Sequence, residues 1–123
     1  MPEKPLLLSL ASRAASHAAA RHAMNARNIA HAETPGYRAR EVAPFDPGGA
    51  KGLALRRTDA RHLAAAGTGV APRETRAPAD GTGNTVMLEE QILGAVDASR
   101  DHGRAVTVYR ASLDLLRASV GGR

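Results

Sequence analysis

The chain lacks cysteine and tryptophan, and Phe45, Tyr37 and Tyr109 are its only Phe, Tyr or Trp residues. Without thiols, neither a disulfide framework nor a thiolate metal site can form. Aromatic residues make up 2% of the 123 positions, and much of the 43% apolar content is alanine, which removes little surface from water when buried. A globule of this length built from such small side chains is marginal by itself. The composition therefore predicts burial that is completed against further copies of the chain or against neighbours.

Long hydrophobic runs are missing too. Residues Leu6 to Ala11 follow Lys4 in the manner of a signal-peptide core, but Arg13, His17 and Arg21 break the run. Neither a cleaved signal nor membrane insertion is expected. Acidic residues number 12 against 17 basic ones, giving a net charge of +5 and a pI near 10.7. That balance suits an anionic partner, and non-specific nucleic-acid binding by a small basic helical protein is the alternative reading of the chain. Against it, the arginines are scattered, only Arg56 and Arg57 are adjacent, and no aromatic side chains interleave them for base stacking. A solvated or protein-facing surface is the preferred reading, with no nucleic acid as partner.

Catalytic groupings are equally sparse. His17, His22, His31, His62 and His102 show neither an i,i+4 pair nor an HExxH context for a metal. His102 reads as a packing or inter-subunit hydrogen-bonding residue. Gly67-Thr68-Gly69 and Gly81-Thr82-Gly83 lack the third glycine and the Lys-Ser/Thr of a nucleotide loop. Glu89 and Glu90 are consecutive on a helix and point apart, while Asp46, Asp59 and Asp80 fall in irregular sequence. No nucleophile, base and orienting group come together. We expect no enzyme, no cofactor, no metal and no small-molecule substrate.

What the chain does have is helix. From Leu6 to Ala32 there is no glycine or proline, and alanine dominates, which predicts one helix about 40 Å long. Its narrow apolar face runs through Leu8, Ala11, Ala15, Ala18, His22, Asn25 and Ile29. From Val42 to Gly83 the chain holds most of its prolines and glycines, and no helical stripe persists. Leu53-Ala54-Leu55 and Val70-Ala71 are candidate short strands, Thr58 to Ala66 a helical turn or two, and much of the segment is expected to be mobile.

The last segment carries the cleanest periodicity. Leu88, Ile92, Ala95, Ser99, His102, Val106, Tyr109, Leu113, Leu116 and Val120 alternate steps of four and three, a heptad seam along roughly 50 Å of helix. We take Leu88, Ile92, Val106, Tyr109, Leu113, Leu116 and Val120 as its helix-packing residues. Gly103 suggests a bend or a close backbone approach, and Gly121-Gly122 a glycine helix end. At the start, Met87 stands where a capping side chain would serve, with Asn84 or Thr85 as alternatives, and Glu89 and Glu90 suit the positive end of the helix dipole. The fold class is mainly α, with long N- and C-terminal helices packed antiparallel in coiled-coil fashion around an irregular or partly β middle. The divisions fall at 1–43, 44–83 and 84–123.

Between helix and middle lies Asn28-Ile29-Ala30-His31-Ala32-Glu33-Thr34-Pro35-Gly36-Tyr37-Arg38. Pro35 removes a backbone donor and disfavours helical geometry at Thr34, and Gly36 accepts the positive φ of a Pro-Gly type II turn. The helix must stop here, and Tyr37 opens an extended arm.

This stretch, continued through Val42, resembles the N-terminal signature of the flagellar axial proteins, with His31 where that family usually has asparagine. Gly83-Asn84-Thr85-Val86-Met87-Leu88-Glu89-Glu90-Gln91 and the long helix after it resemble the far end of the proximal rod proteins within that family, where a carboxylate often stands at the position of Met87. The two regions cover roughly residues 18–45 and 81–122. The resemblance implies a structural subunit of the bacterial flagellar basal body, assembling through its terminal helices into the rod that crosses the periplasm. It implies Asn28, Ile29, Ala30, Thr34, Pro35, Gly36 and Tyr37 as a corner that places the arm on an adjacent subunit. It also implies a helical layer held together by the C-terminal seam, with the middle segment outside it. The implied partners are other copies of the chain, other rod proteins, and the export gate, MS ring and rod-adaptor proteins at the rod base. Export would run through the flagellum's own channel as an unfolded type III substrate, without a cleaved signal peptide.

Overall fold

The computed structural model describes residues 6–48 and 72–122. Helix α1 spans Leu6–Ala30, strand β1 Arg40–Glu41, strand β2 Arg73–Glu74 and helix α2 Leu88–Gly121. The protein is mainly helical, its two long helices packed against each other and joined at one end by a corner and a two-strand ladder. The candidate strands at 53–55 and 70–71, the helical turns at 58–66, the loop at 67–69, Arg56, Arg57, Asp59 and His62 lie outside the described residues.

Alanine carries α1 to Ala30, where the winding tightens. His31 N donates to Asn28 O at 3.1 Å and Ala32 N to Ile29 O at 3.1 Å, the shorter hydrogen-bond step with which helices often finish. Pro35 then forbids continuation. Helix α2 begins at Leu88 after an extended Met87 that offers no side-chain cap, with Glu89 and Glu90 in the first turn opposing the dipole. Asn84 and Thr85 do not substitute as caps, since both are engaged at the corner. At the far end Gly121 is the last helical residue, but Gly122 has φ −84° and is not a left-handed cap.

The pairing is antiparallel. Arg21 meets Asp101 at 3.0 Å, Asn25 lies against Gly94, and Asn28 reaches Gln91 at 2.9 Å, so positions on α2 fall as those on α1 rise. From α1, Leu8, Ala11 and Ala18 are buried, with Ala15, Asn25 and Ile29 half-buried and His22 exposed. From α2 the buried residues are Ala98, Ala105 and Ser112, which continue a seven-residue line from Gln91. Ala98 is completely covered, at 0% exposure. Small side chains along this line let the helix axes approach closely.

That line differs from the expected seam by one residue. Ile92, Val106 and Leu113 each follow a residue of the buried line, about 100° around the helix. Val106 and Leu113 are half-buried at the edge of the contact, while Leu88, Ile92, Tyr109, Leu116 and Val120 are exposed, Val120 at 78%. The reason is size: the pair closes along the smallest side chains, and the larger apolar ones are left on the flank. Gly103 also departs from expectation, because a side chain there would meet nothing within 4 Å. The close approach is at Gly94, where a Cβ would stand 2.9 Å from Asn25 Nδ2.

In the middle, β1 and β2 pair antiparallel with Arg40 opposite Glu74 and Glu41 opposite Arg73, and Arg73 Nε meets Glu41 Oε1 at 2.9 Å. Residues 80–83, at the end of the irregular middle segment, close onto the corner through the bonds described below. Helix propensity and packing can be separated by two substitutions. Gly103→Ala, on an open helix surface, should raise unfolding free energy by about 1 kcal/mol in urea denaturation. Ala98→Leu, at a fully covered position of the pair, should lower it by about 1–3 kcal/mol.

Candidate functional site, a corner closed by two asparagines

The turn after α1 has the expected form. Tyr37 N donates to Thr34 O at 3.2 Å across Pro35-Gly36, and Gly36 has φ +73°. A second turn backs onto it. Gly83 has φ +81°, a Cβ built there would lie 3.5 Å from Gly36 Cα, and Gly36 N donates to Thr82 O at 2.9 Å. Side chains at these two glycines would adopt a strained backbone conformation, which explains the residue type. Beyond the turns, Thr85 N donates to Tyr37 O at 3.0 Å, Ala39 N to Thr85 Oγ1 at 2.8 Å, and Thr75 N to Ala39 O at 2.9 Å.

Asn28 sits at the centre with 0% exposure. Its Nδ2 donates to Arg40 O at 2.7 Å and Gln91 Oε1 at 2.9 Å, and its Oδ1 accepts from Tyr37 Oη at 3.1 Å and Arg40 N at 3.2 Å. An amide side chain has two donor hydrogens and two acceptor lone pairs, and all four are used. One residue thereby ties together the end of α1, the turn, the arm and the first turn of α2.

Asn84 does the complementary work from the other segment. Its Nδ2 lies 2.9, 3.0 and 2.8 Å from the carbonyl oxygens of His31, Ala32 and Thr34, and its Oδ1 accepts from Val86 N at 2.7 Å. The carbonyls at and just past the end of α1 are thus reached from 50 to 53 residues away in sequence. Asp80 in turn places Asn84. Its Oδ1 accepts from Thr82 Oγ1 at 2.7 Å, Thr82 N at 2.8 Å and Asn84 N at 3.1 Å. The Thr82 hydroxyl and then the Thr82 amide hold the Asp80 carboxyl below its ordinary value of 3.8; desolvation opposes them less strongly than either, and the Asn84 and Gly83 amides add smaller lowering effects.

His31 stacks on Tyr37 with ring centroids 4.6 Å apart, and its Nδ1 lies 3.2 Å from Thr34 Oγ1. The arm does not project from the single chain. It runs back along α1, with Ala43 O 2.6 Å from His17 Nε2 and Arg13 donating to the carbonyls of Asp46 and Pro47 at 3.0 and 3.4 Å. Phe45 packs on the His17 ring, 5.4 Å between centroids, beneath the Arg13 guanidinium.

The structure thus brings Asn28, Thr34, Gly36 and Tyr37 into one bonded unit, with Ile29 half-buried beside it and Ala30 and Pro35 exposed. Sequence reasoning did not identify Gln91, Asn84, Thr85 and Asp80 as part of it. Asp80-Gly81-Thr82-Gly83-Asn84 is rich in turn-forming residues, but turn chemistry alone does not say which distant carbonyls an asparagine will reach. Along the helix pair, Ser12, Ala15, Ser16 and Ala19 of α1 and His102, Val106 and Tyr109 of α2 line an open groove of ≈ 300 Å³. Among the described residues no group of three or more His, Asp or Glu could hold a metal, and no helix is long and apolar enough to cross a membrane.

Asn28→Ala should leave Gln91, Tyr37 and the Arg40 backbone without partners and cost about 2–3 kcal/mol in denaturant unfolding. The Asp80 carboxyl has a folded-state pKa below its unfolded value. Its contribution is therefore fully present above about pH 4 and is lost as pH falls through the lowered value. Acid titration of unfolding should show Asp80→Asn less stable than the parent at neutral pH, with the gap narrowing below pH 4.

No family model matches the chain, and no curated protein matches it.

Proposed function

We propose that this protein is a structural subunit of the rod of the bacterial flagellar basal body, a proximal rod protein of the FlgB type, that self-assembles through its two terminal helices. The observation that carries the reading is the apolar surface left on the helix pair. Leu88, Ile92, Leu93, Val96, Val108 and Tyr109 are exposed on α2, and Leu115 and Leu116 farther along are 70% and 37% exposed. On α1, Leu6 and Leu7 are exposed as well. From the Arg21–Asp101 contact, fifteen residues back on α1 and fifteen on along α2 bring Leu6 level with Leu116, so Leu6, Leu7, Leu115 and Leu116 share one end of the pair, while Leu88, Ile92, Leu93 and Val96 lie toward the corner. Contiguous apolar surface on helices marks a protein interface.

The heptad register adds direction. The seam from Leu88 to Val120 keeps its seven-residue period on a flank that the intramolecular pair covers only in part, at Val106 and Leu113, and the groove beside it has small residues on α1 and larger ones on α2. A third helix fits such a surface by inserting side chains over Ser12, Ala15, Ser16 and Ala19. In this reading the bonded corner orients the helix pair and the arm, and association supplies the missing burial. The proposed partners are further copies and other rod proteins, with the export gate, MS ring and rod-adaptor proteins at the base. The proposed location is the periplasmic rod, reached by flagellar export. The chain acts by binding and does not catalyse.

Leu115→Asp tests the interface without disturbing the fold, because the side chain is already in water in the single chain. The variant should keep the parent's helical circular dichroism and unfolding midpoint while failing to enter isolated hook-basal bodies and failing to restore motility to a deletion strain. Normal incorporation would refute the interface.

A further inference from the structure

We propose that the Asp80-Gly81 bond is a site of spontaneous isoaspartate formation whose rate is set by opening of the corner turn. Asp80-Gly81 is the chain's one pairing of an Asp or Asn with a following glycine. The reaction begins when the Gly81 amide nitrogen attacks Cγ of Asp80. An N–Cγ bond forms, the carboxyl loses its oxygen as water, and a five-membered succinimide results. Water then adds to either carbonyl of the ring. Opening at one side restores aspartate, and opening at the other routes the main chain through the side-chain carbon and leaves the α-carboxylate pendant. One water is released and one consumed, so the net change is an isomerisation with no oxidant or co-reactant.

Glycine is the residue that permits this attack most readily, since no side chain shields its nitrogen. A Cβ at Gly81 would have nothing within 4 Å, so the site is also open on the protein side. What opposes the reaction is the turn itself. Asp80 Oδ1 is held by the Thr82 hydroxyl and the Thr82 and Asn84 amides, and Asp80 N donates to Asn84 O at 2.8 Å while Gly83 N donates to Asp80 O at 3.0 Å. These five bonds keep the carboxylate turned toward Thr82 and Asn84 and ionised, the form whose oxygen leaves least easily. Ring closure requires that they break, so the rate follows the population of the opened turn.

The consequence falls on the corner. An isoaspartyl linkage adds one methylene to the main chain just ahead of Gly81, one residue before Thr82, whose carbonyl receives Gly36 N, and three before Asn84, which binds the carbonyls of His31, Ala32 and Thr34. Isomerisation at this one peptide bond would therefore release the end of α1 from the segment that leads into α2.

The test is incubation of the intact chain at 37 °C and neutral pH, folded and in guanidinium chloride, with isoaspartate at position 80 read by peptide mapping with electron-transfer fragmentation. The unfolded chain should form it at least about tenfold faster than the folded one. Thr82→Ala should raise the folded rate toward the unfolded rate without changing the latter, and Thr82→Ser should restore protection. Equal rates in the folded and unfolded parent, absence of isoaspartate at position 80 from the unfolded chain, or a folded Thr82→Ala rate equal to the parent's would each overturn the proposal.

Discussion

The rest of the structure depends on a buried carboxamide with nothing left unpaired. Asn28 is enclosed completely, and each of its two hydrogens and two lone pairs meets a different demand: the arm carbonyl and amide at Arg40, the Tyr37 hydroxyl and the Gln91 side chain. A buried amide costs free energy unless satisfied, so this site tolerates few rearrangements. Satisfaction at four points fixes an angle between α1, the turn, the arm and α2, which hydrophobic contact between alanines cannot do. Asn84 repeats the logic in the opposite direction, completing from the second segment a helix end that belongs to the first. The two helices are therefore interlocked through polar groups at one end, and along their length they meet through small side chains and the Arg21–Asp101 ion pair.

Division of labour on α2 follows from that. Its small-residue line, Ala98, Ala105 and Ser112, is spent on α1, and its larger apolar line, one residue further round, stays exposed at Ile92 and Val120 and only half-buried at Val106 and Leu113. A monomer seeking maximum stability would bury leucine, isoleucine and valine first, because burial scales with area. Here the order is reversed. The arrangement fits a subunit whose intramolecular contacts set geometry and whose remaining apolar surface is covered by neighbours, and it accords with the scarcity of aromatic residues noted at the outset.

Much of this was legible from residue order. Alanine content and the absence of glycine and proline marked α1, expected over Leu6 to Ala32 and ending at Ala30, heptad periodicity marked α2, and Thr34-Pro35-Gly36-Tyr37 announced its turn type through the positive φ that glycine supplies. The heptad periodicity was real but ambiguous. A seven-residue repeat one position earlier, built of Ala and Ser, is invisible to a search for large apolar side chains, and only packing reveals that the pair closes on it. Gly94 and Gly103 are indistinguishable in sequence, yet one faces Asn25 and the other open space. Asn84, Asp80 and Gln91 escaped because their partners lie 50 to 63 residues away or within a turn whose register sequence does not specify. Local chemistry is written locally; a cap supplied from a distant segment is not.

Hydrogen exchange measured across a concentration series tests most directly the idea that polar bonds fix the corner while association covers the helices' outer faces. Amides at the corner, including Gly36, Ala39 and Thr85, should be protected at every concentration. Those in the last turns of α2, near Leu115 to Val120, should exchange quickly when dilute and become protected as subunits associate. Strong protection of the α2 end in the dilute monomer, or none after association, would contradict it.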